Sequence, residues 1–369
     1  MKIHTDCRHF DGYKPCKPHK QHGVHCEGCN QYDPIEQRIL ILKFGAAGEV
    51  IRCTPILHYL KKHHPAAYVV WVTEFPDLIP DGWVDQVVRS TWQAAEWIKA
   101  QKWNLILSLD KDVTPCAIAR QSRADVIKGF TLDDMGHIVA ADADSERKWQ
   151  TGIFDDLMKA CTRHYVEEMF EICGWHYSGE TYILPQSEPS MLNPVSGTGS
   201  IVGLNTGAGQ IWPTRIWPEE NFEQLIYKLQ SLNMRPLLLG GPDEHDRNVR
   251  LACRTGAIYH GIKPLRQFLT VIDSCDVVVT SVTMALHMAI GLEKRIVLFN
   301  NVFNKHEFHL FGLGEILEPA LPCVGCYKRK FDDGCPVPNC MKQIDVDSVV
   351  QAVHRQVNNS EQRTATLRR

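Results

Sequence analysis

The sequence predicts an α/β protein made of two successive halves, each with parallel strands alternating with helices. Three observations carry this. Strand-like apolar runs and amphipathic helical stretches alternate in both halves, the pattern of βαβ units. Residues 185–200 (PQSEPSMLNPVSGTGS) are rich in Pro, Ser and Gly and nearly devoid of apolar residues, the composition of an interdomain linker. The length, 369 residues, suits two domains better than one.

Residues 1–34 carry many Cys, His, Lys, Pro and Gly with little apolar periodicity, so they cannot form a core unaided and need a staple. A strand is expected at 38–44 (RILILKF), followed by the turn Gly45-Ala46-Ala47-Gly48 and a helical pattern over 49–63. Further strands read at 67–73 and 104–109, with short helices between, and a long amphipathic stretch over 152–173 closes the first half. Beyond the linker, a strand at 201–205 empties into a loop over 206–213. A helix at 219–232, a strand at 236–239, the turn Gly240-Gly241-Pro242, a helix at 244–254, a strand near 257–259 and a helix at 265–272 follow. The buried strand 276–280, the helix 283–291 and the strand 295–299 complete the second half. The expected division is a cysteine-rich segment 1–34, a first domain 35–188, a second domain 200–345, and a C-terminal helix with a polar tail over 346–369, frayed from 358 onward.

Composition narrows the function classes. Apolar residues make up 44% and charged residues 22%, so both halves can bury cores. A net charge of −3 creates no field favouring nucleic acid or an anionic membrane, and Lys14, Lys17 and Lys20 are too few to make a basic stripe. No run approaches the roughly 18 apolar residues of a spanning helix, and the polar start lacks a signal-peptide h-region, so a cytoplasmic location is expected. The sequence leaves oligomeric state open, a homo-oligomer included.

Fourteen cysteines are many for a reducing compartment. Cys53, Cys116, Cys161, Cys173, Cys253 and Cys275 stand singly in apolar segments and read as small core hydrophobes. The other eight form two clusters. Cys323-x2-Cys326-x8-Cys335-x4-Cys340 is a compact four-thiolate set able to reach tetrahedral geometry around zinc or mononuclear iron. At the N-terminus the Cys26-x2-Cys29 knuckle is the strongest part, with Cys7 and Cys16 as completing ligands and His19 or His25 as substitutes. A structural zinc would explain how this coreless segment folds, whereas a redox-sensitive or partly disordered lead is the alternative.

Three strand–turn–helix junctions are candidates for an anion site, because each aims backbone N–H groups and a helix N-terminus at one point. The first is Lys43-Phe44-Gly45-Ala46-Ala47-Gly48-Glu49; taken alone, an ordinary tight turn with Glu49 merely complementing the helix dipole is the commoner explanation. The second joins Asn205-Thr206-Gly207-Ala208-Gly209 to Arg215 before Trp217-Pro218. Arg215 could clamp phosphate oxygens, or be a surface arginine. The third is Thr280-Ser281-Val282-Thr283-Met284-Ala285-Leu286-His287, in which His287 also reads as a satisfied core histidine. Asp243 and Glu244, after Gly240-Gly241-Pro242, could hold ribose hydroxyls or cap a helix. Asp110, at a strand end in the first half, is a candidate acceptor contact or plain loop charge.

The order and spacing of these elements resemble glycosyltransferase family 9, the ADP-heptose:lipopolysaccharide heptosyltransferases. The resemblance covers about residues 38–345 and rests on ILILKFGAAGEVIRCTPIL, NTGAGQIWPTRIWPEENFEQL, LLLGGPDEH and VVVTSVTMALHMAIGLEKRIVLF. It implies the GT-B fold, two Rossmann-like domains facing across a cleft, with the acceptor domain first and the nucleotide-sugar domain second. It also implies inverting, metal-independent transfer of a heptose or related sugar from a nucleotide-diphosphate donor, ADP-linked, to an acceptor hydroxyl on a saccharide, protein or small molecule. The family's Gly-Asp pair, with the aspartate as general base, falls on Gly48-Glu49, and its phosphate-binding cation falls on Arg215. Thr206, Gly207, Gly209, Glu244, Ser281, Thr283, Met284, Ala285 and His287 fall on the donor side, Gly48 and Asp110 on the acceptor side. The family's sugar-binding aspartate is replaced by Val282, which has no group to bond a sugar hydroxyl. A catalytically degenerate carbohydrate- or nucleotide-binding protein on the same scaffold is therefore the alternative. Family members that modify autotransporters carry a similar four-cysteine iron segment, which supports metal at 323–340.

Overall fold

The computed structural model describes residues 1–188, 197–209, 212–330, 335, 337 and 339–367. Most of the expected linker, 189–196, and two residues of the loop 206–213 lie outside these. Each half forms a six-stranded sheet. The first comprises β1 (Gln37–Leu42), β2 (Ala67–Thr73), β3 (Gln86–Arg89), β4 (Lys102–Ser108), β5 (Arg123–Leu132) and β6 (Ile138–Ala140), in the order β3-β2-β1-β4-β5-β6. All pairs are parallel except β5 with β6. The second comprises β7 (Ile201–Asn205), β8 (Arg235–Leu239), β9 (Ile258–Tyr259), β10 (Val277–Ser281), β11 (Arg295–Phe299) and β12 (Gly314–Leu317), all parallel, in the order β12-β11-β10-β7-β8-β9. The chain is thus an α/β protein of two Rossmann-like domains.

The central strands are covered by helices on both faces, which is why β1 reads as a continuous apolar run and buries Ile39, Leu40, Ile41 and Leu42 completely. Trp71 and Trp103 fill the first core and Trp217 the second, each at most 1% exposed. One apolar cluster joins residues of both domains, among them Ile51, Leu57, Leu286 and Ile290.

In both sheets the strand order reverses beside the first strand. The neighbours across that point are β1 and β4 in one domain, β7 and β10 in the other. Ligands of open α/β sheets bind at the carboxyl ends of the strands flanking such a point. The helix Ala47–Cys53, which follows β1, packs on the helix Met284–Gly291, which follows β10. The two reversal points therefore face each other.

Three local expectations need correction. The helical pattern over 49–63 is two helices, Ala47–Cys53 and Ile56–His63, interrupted where Pro55 follows Thr54. The stretch 152–173 is not one helix. Gly152 caps the preceding helix Ala143–Thr151, and His164 starts a new one at Tyr165–Ile172 by accepting the Glu167 N–H, with Asp155–Ala160 between. The tail expected to fray from 358 continues the helix Val346–Leu367. No helix among the described residues is long and apolar enough to cross a membrane.

Candidate functional site

The first reversal point is built around a buried lysine. Lys43 leaves the end of β1 and is 1% exposed. Its Nζ donates to Glu49 Oε2 at 2.7 Å and to Asp110 Oδ1, and Asp110 Oδ2 accepts the Phe44 N–H. Asp110 follows β4, so neighbouring strands bring the two charges together. Burial works against the Lys43 ammonium, but Glu49, Tyr165 and Asp110 hold its pKa well above the ordinary lysine value. For Glu49 the cleft raises the pKa and Lys43, Arg52 and Lys148 lower it; the cations win. Its side chain keeps 44% exposure and stays ionised. Asp110 is shifted upward, because burial outweighs Lys43.

The second reversal point is built around Asn205 and Arg215. Asn205 leaves β7, and its Nδ2 donates to Thr280 Oγ1 and Thr283 Oγ1, both at 3.1 Å, joining the ends of β7 and β10. Arg215 donates through Nη1 to the Val282 carbonyl and through Nη2 to the Ala208 carbonyl at 2.7 Å, which holds the two loops to one another. Its guanidinium lies near the rings of Trp212 and Phe303, and among the described residues its buried Nε has no partner and no carboxylate pairs with it. Burial draws its pKa down to about 10, so it remains a cation at neutral pH. Thr283 starts the helix Met284–Gly291 without a side-chain cap, leaving N–H groups of the first turn open.

These two arrangements line two cavities. One, of about 1100 Å³, lies mainly against the first domain and includes Lys43, Glu49, Asp110, Lys111 and Lys148. The other, of about 720 Å³, lies mainly against the second and includes Gly207, Gly209, Arg215, Glu244, Thr283 and His287. Val282, Met284, Ala285 and Gly48 also line the second. Glu49, Ala46, Arg52 and Glu307 belong to both. Arg52 ties the domains by donating to the Glu307 carbonyl at 3.2 Å, with its guanidinium 3.7 Å from the Tyr165 ring centre.

Several candidates are placed differently from expectation. Thr206 and Ser281 do not line either cavity. Thr206 Oγ1 donates to Asn248 Oδ1 at 2.6 Å, and Ser281 Oγ donates to the Arg215 carbonyl at 2.9 Å, so their hydroxyls shape the loops. Asp110 is engaged through both oxygens and reaches the cavity as the anchor of Lys43. Glu244 lines the second cavity while accepting the Gly241 N–H at 2.9 Å. Gly48 is a point of close approach: a Cβ there would lie 2.7 Å from His287 Cδ2. His287 is 4% exposed, near the Tyr182 hydroxyl at 3.5 Å, and burial keeps it neutral. Lys43, Arg52 and Glu307 carried no assigned role in the sequence. A lysine directly after the apolar, buried run Ile39–Leu42 was the available signal for the first.

The cysteines of each cluster share a cavity. Cys323, Cys326, Cys335 and Cys340 line one of about 40 Å³, where Asn301 Nδ2 donates to Cys340 Sγ at 3.2 Å. Cys7, Cys16, Cys26 and Cys29 line another of about 200 Å³. As the side chains stand, no three His, Cys, Asp or Glu among the described residues are drawn together to hold an ion.

The profile of glycosyltransferase family 9 (heptosyltransferase) matches residues 95–306, more than half of the chain. No curated protein matches significantly. Among solved structures, the glycosyl transferase family 9 protein of Veillonella parvula DSM 2008 is 16% identical with a TM-score of 0.68, covering 88% of this chain and 98% of that one. E. coli ADP-heptose lps heptosyltransferase II is 14% identical with a TM-score of 0.62, covering 88% and 99%. The iron-containing dodecameric glycosyltransferase TibC of enterotoxigenic E. coli H10407 is 12% identical with a TM-score of 0.51, covering 90% and 77%. These likenesses carry the fold, which is that of the GT-B heptosyltransferases. With the family profile matching more than half of its length, the chain belongs to glycosyltransferase family 9, the heptosyltransferases.

Proposed function

We propose that the chain transfers a heptose or related sugar, with inversion, from an ADP-linked donor to an acceptor hydroxyl. The observation that carries this reading is the position of Glu49, an ionised carboxylate on the wall shared by the two cavities. The acceptor hydroxyl oxygen, bound on the first-domain side, attacks the anomeric carbon. The bond from that carbon to the diphosphate oxygen breaks, and the nucleoside diphosphate leaves with the electron pair. Glu49 takes the hydroxyl proton, while Lys43 keeps the carboxylate ionised and oriented. Arg215, a buried cation without a carboxylate counter-ion among the described residues, meets the charge growing on the diphosphate together with the open N–H groups at Met284 and Ala285. In this reading the leaving group is stabilised by protein groups, and metal takes no part in the transfer. TibC, solved with ADP-D-beta-D-heptose at a TM-score of 0.55 and 11% identity, supports an ADP-heptose-type donor.

The C-terminal thiols fit a structural ion by chemistry and placement. The four cysteines line one small cavity, and Asn301 links Cys340 to the loop before Arg215 by donating to the Thr214 carbonyl at 2.8 Å. Zinc or iron held there would brace that loop.

Incubating the purified chain with ADP-heptose and candidate acceptor saccharides, and following ADP release, tests the reading. Glu49→Gln should lower kcat by about 10²–10⁴-fold, the usual range for a general base. Val282 favours the second reading, a binding protein, because an apolar side chain lines the donor-side cavity where the family offers a carboxylate. ADP binding by calorimetry without turnover, unchanged in Glu49→Gln, would select that reading.

A further inference from the structure

The segment before β1 is ordered almost without a core. Across residues 1–34 only Pro18 is buried, while Ile3, Phe10 and Tyr13 stand 53%, 38% and 80% exposed. So little apolar burial cannot offset the entropy of ordering some thirty residues. Yet the segment has a defined backbone. The helix Lys17–His22 begins at Cys16, which makes no side-chain cap, and ends at the left-handed Gly23. The Cys29 N–H returns to the Cys26 carbonyl at 3.3 Å, a knuckle turn that carries both cysteines. Cys7 opens another turn, its carbonyl accepting the Phe10 N–H at 2.9 Å, and bridges to Pro34.

These local structures bring four thiols to the same cavity. Cys7, Cys16, Cys26 and Cys29 are free, and none of their sulfurs has a hydrogen-bond partner among the described residues. His4, His9, His19 and His25 also line the cavity; His19 Nδ1 lies 2.9 Å from the Val24 carbonyl and His25 Nδ1 lies 3.1 Å from Met1 Sδ. We propose that residues 1–34 form a metal-dependent module in which Cys7, Cys16, Cys26 and Cys29 take one tetrahedral divalent ion of the zinc class. Four thiolates from a knuckle, a turn and a helix start are the ligand set such an ion prefers, and the ion replaces the missing core. Binding closes the sulfurs around the cavity and releases their protons to solvent.

The module's place in the fold makes the ion structural. Arg8 anchors it at the amino ends of β1 and β2, donating to the Ala67 carbonyl at 3.2 Å, to Asp33 at 3.1 Å and to Asp85. Lys43 and Glu49 come after the carboxyl end of β1. A six-residue strand spans about 20 Å, too far for an ion beside Cys7 to touch the reacting atoms.

The test uses the full chain as purified. Cys26→Ser/Cys29→Ser should lower the metal content, read by elemental mass spectrometry, by one equivalent per chain, leaving any ion at the C-terminal thiols in place. His19→Ala and His25→Ala should leave it unchanged. A second measurement needs no variant. Alkylation mapped by mass spectrometry should find the four thiols protected together, and a chelator should raise their rates roughly tenfold or more. An unchanged metal content in the double variant would overturn the proposal. So would four thiols alkylated equally fast with and without chelator, or a disulfide found within residues 1–34.

Discussion

Replacing Lys43 by methionine keeps the length of the side chain and removes its charge, with consequences for both of its carboxylate partners. Asp110, 9% exposed along its side chain, would lose its ammonium partner and keep only the Phe44 N–H. Breaking a buried pair by removing one partner costs about 3–5 kcal/mol, because the remaining charge stays buried. For a domain of this size each kcal/mol moves Tm by about 2–4 °C, so the first-domain transition should fall by roughly 6–20 °C. Glu49 responds as well. Its pKa lies below the ordinary carboxylate value because Lys43 overcomes the cost of burial, so the variant's Glu49 should titrate higher. A base must be ionised, and the acid limb of the kcat/KM profile should therefore move to higher pH. Each unit of movement costs about tenfold in activity on the acid side. The linkage has the same sign. A carboxylate with a depressed folded pKa contributes stability that is complete above its unfolded value and disappears as pH falls through the folded value. The gap in Tm between wild type and variant should thus narrow on acidification. Scanning calorimetry and the pH–rate profile read both effects. Lys43→Met/Asp110→Asn should recover part of the loss, since it removes both buried charges. A Lys43→Met protein melting within about 2 °C of wild type, with an unmoved acid limb, would refute the account of the pair.

Arg215→Lys keeps a charge but cannot reach both the Val282 and Ala208 carbonyls, so ADP affinity measured by calorimetry should fall by about 10- to 100-fold. Gly48→Ala would place a methyl 2.7 Å from His287 and push the two helices apart, lowering stability by about 1–3 kcal/mol in thermal or denaturant unfolding. His287 has its pKa held well below the ordinary value by burial. Stability should therefore fall as pH drops below the unfolded-state value, by up to about 1.4 kcal/mol per pH unit from this group, and His287→Gln should remove that part of the slope.

What the sequence could disclose of this fold depends on burial. Strands with a buried run of four residues, such as β1, β7 and β11, were legible to within a residue or two. The strands that escaped notice are half-exposed edges or near-edges. β3 alternates intermediate and exposed positions, β6 and β12 are intermediate throughout, and β5 mixes charge into its first half. Such segments carry too little apolar signal to stand apart from loops. Helix breaks were hidden for another reason. Periodicity continues across Pro55 and across 152–164, and only the cap at His164 shows that the chain turns.

The site divides along the same line. A strand–turn–helix junction can be recognised locally, so the segments holding Glu49, Arg215 and Thr283 stood out as three separate candidates for an anion site. Their joining cannot be recognised locally, because it depends on which strands lie side by side. Asn205 reaches Thr280 and Thr283 only because β7 pairs with β10, and Lys43 meets Asp110 only because β1 pairs with β4. In each domain the polar side chain that links the two strand ends is almost fully buried, Lys43 at 1% and Asn205 at 6%. Burial of a polar group is costly unless its partners are fixed. The two residues that join the strand ends are therefore the ones whose partners lie 67 and 75 residues away in the chain, while Glu49 and Arg215, which line the cavities, lie close to the turns that announce them.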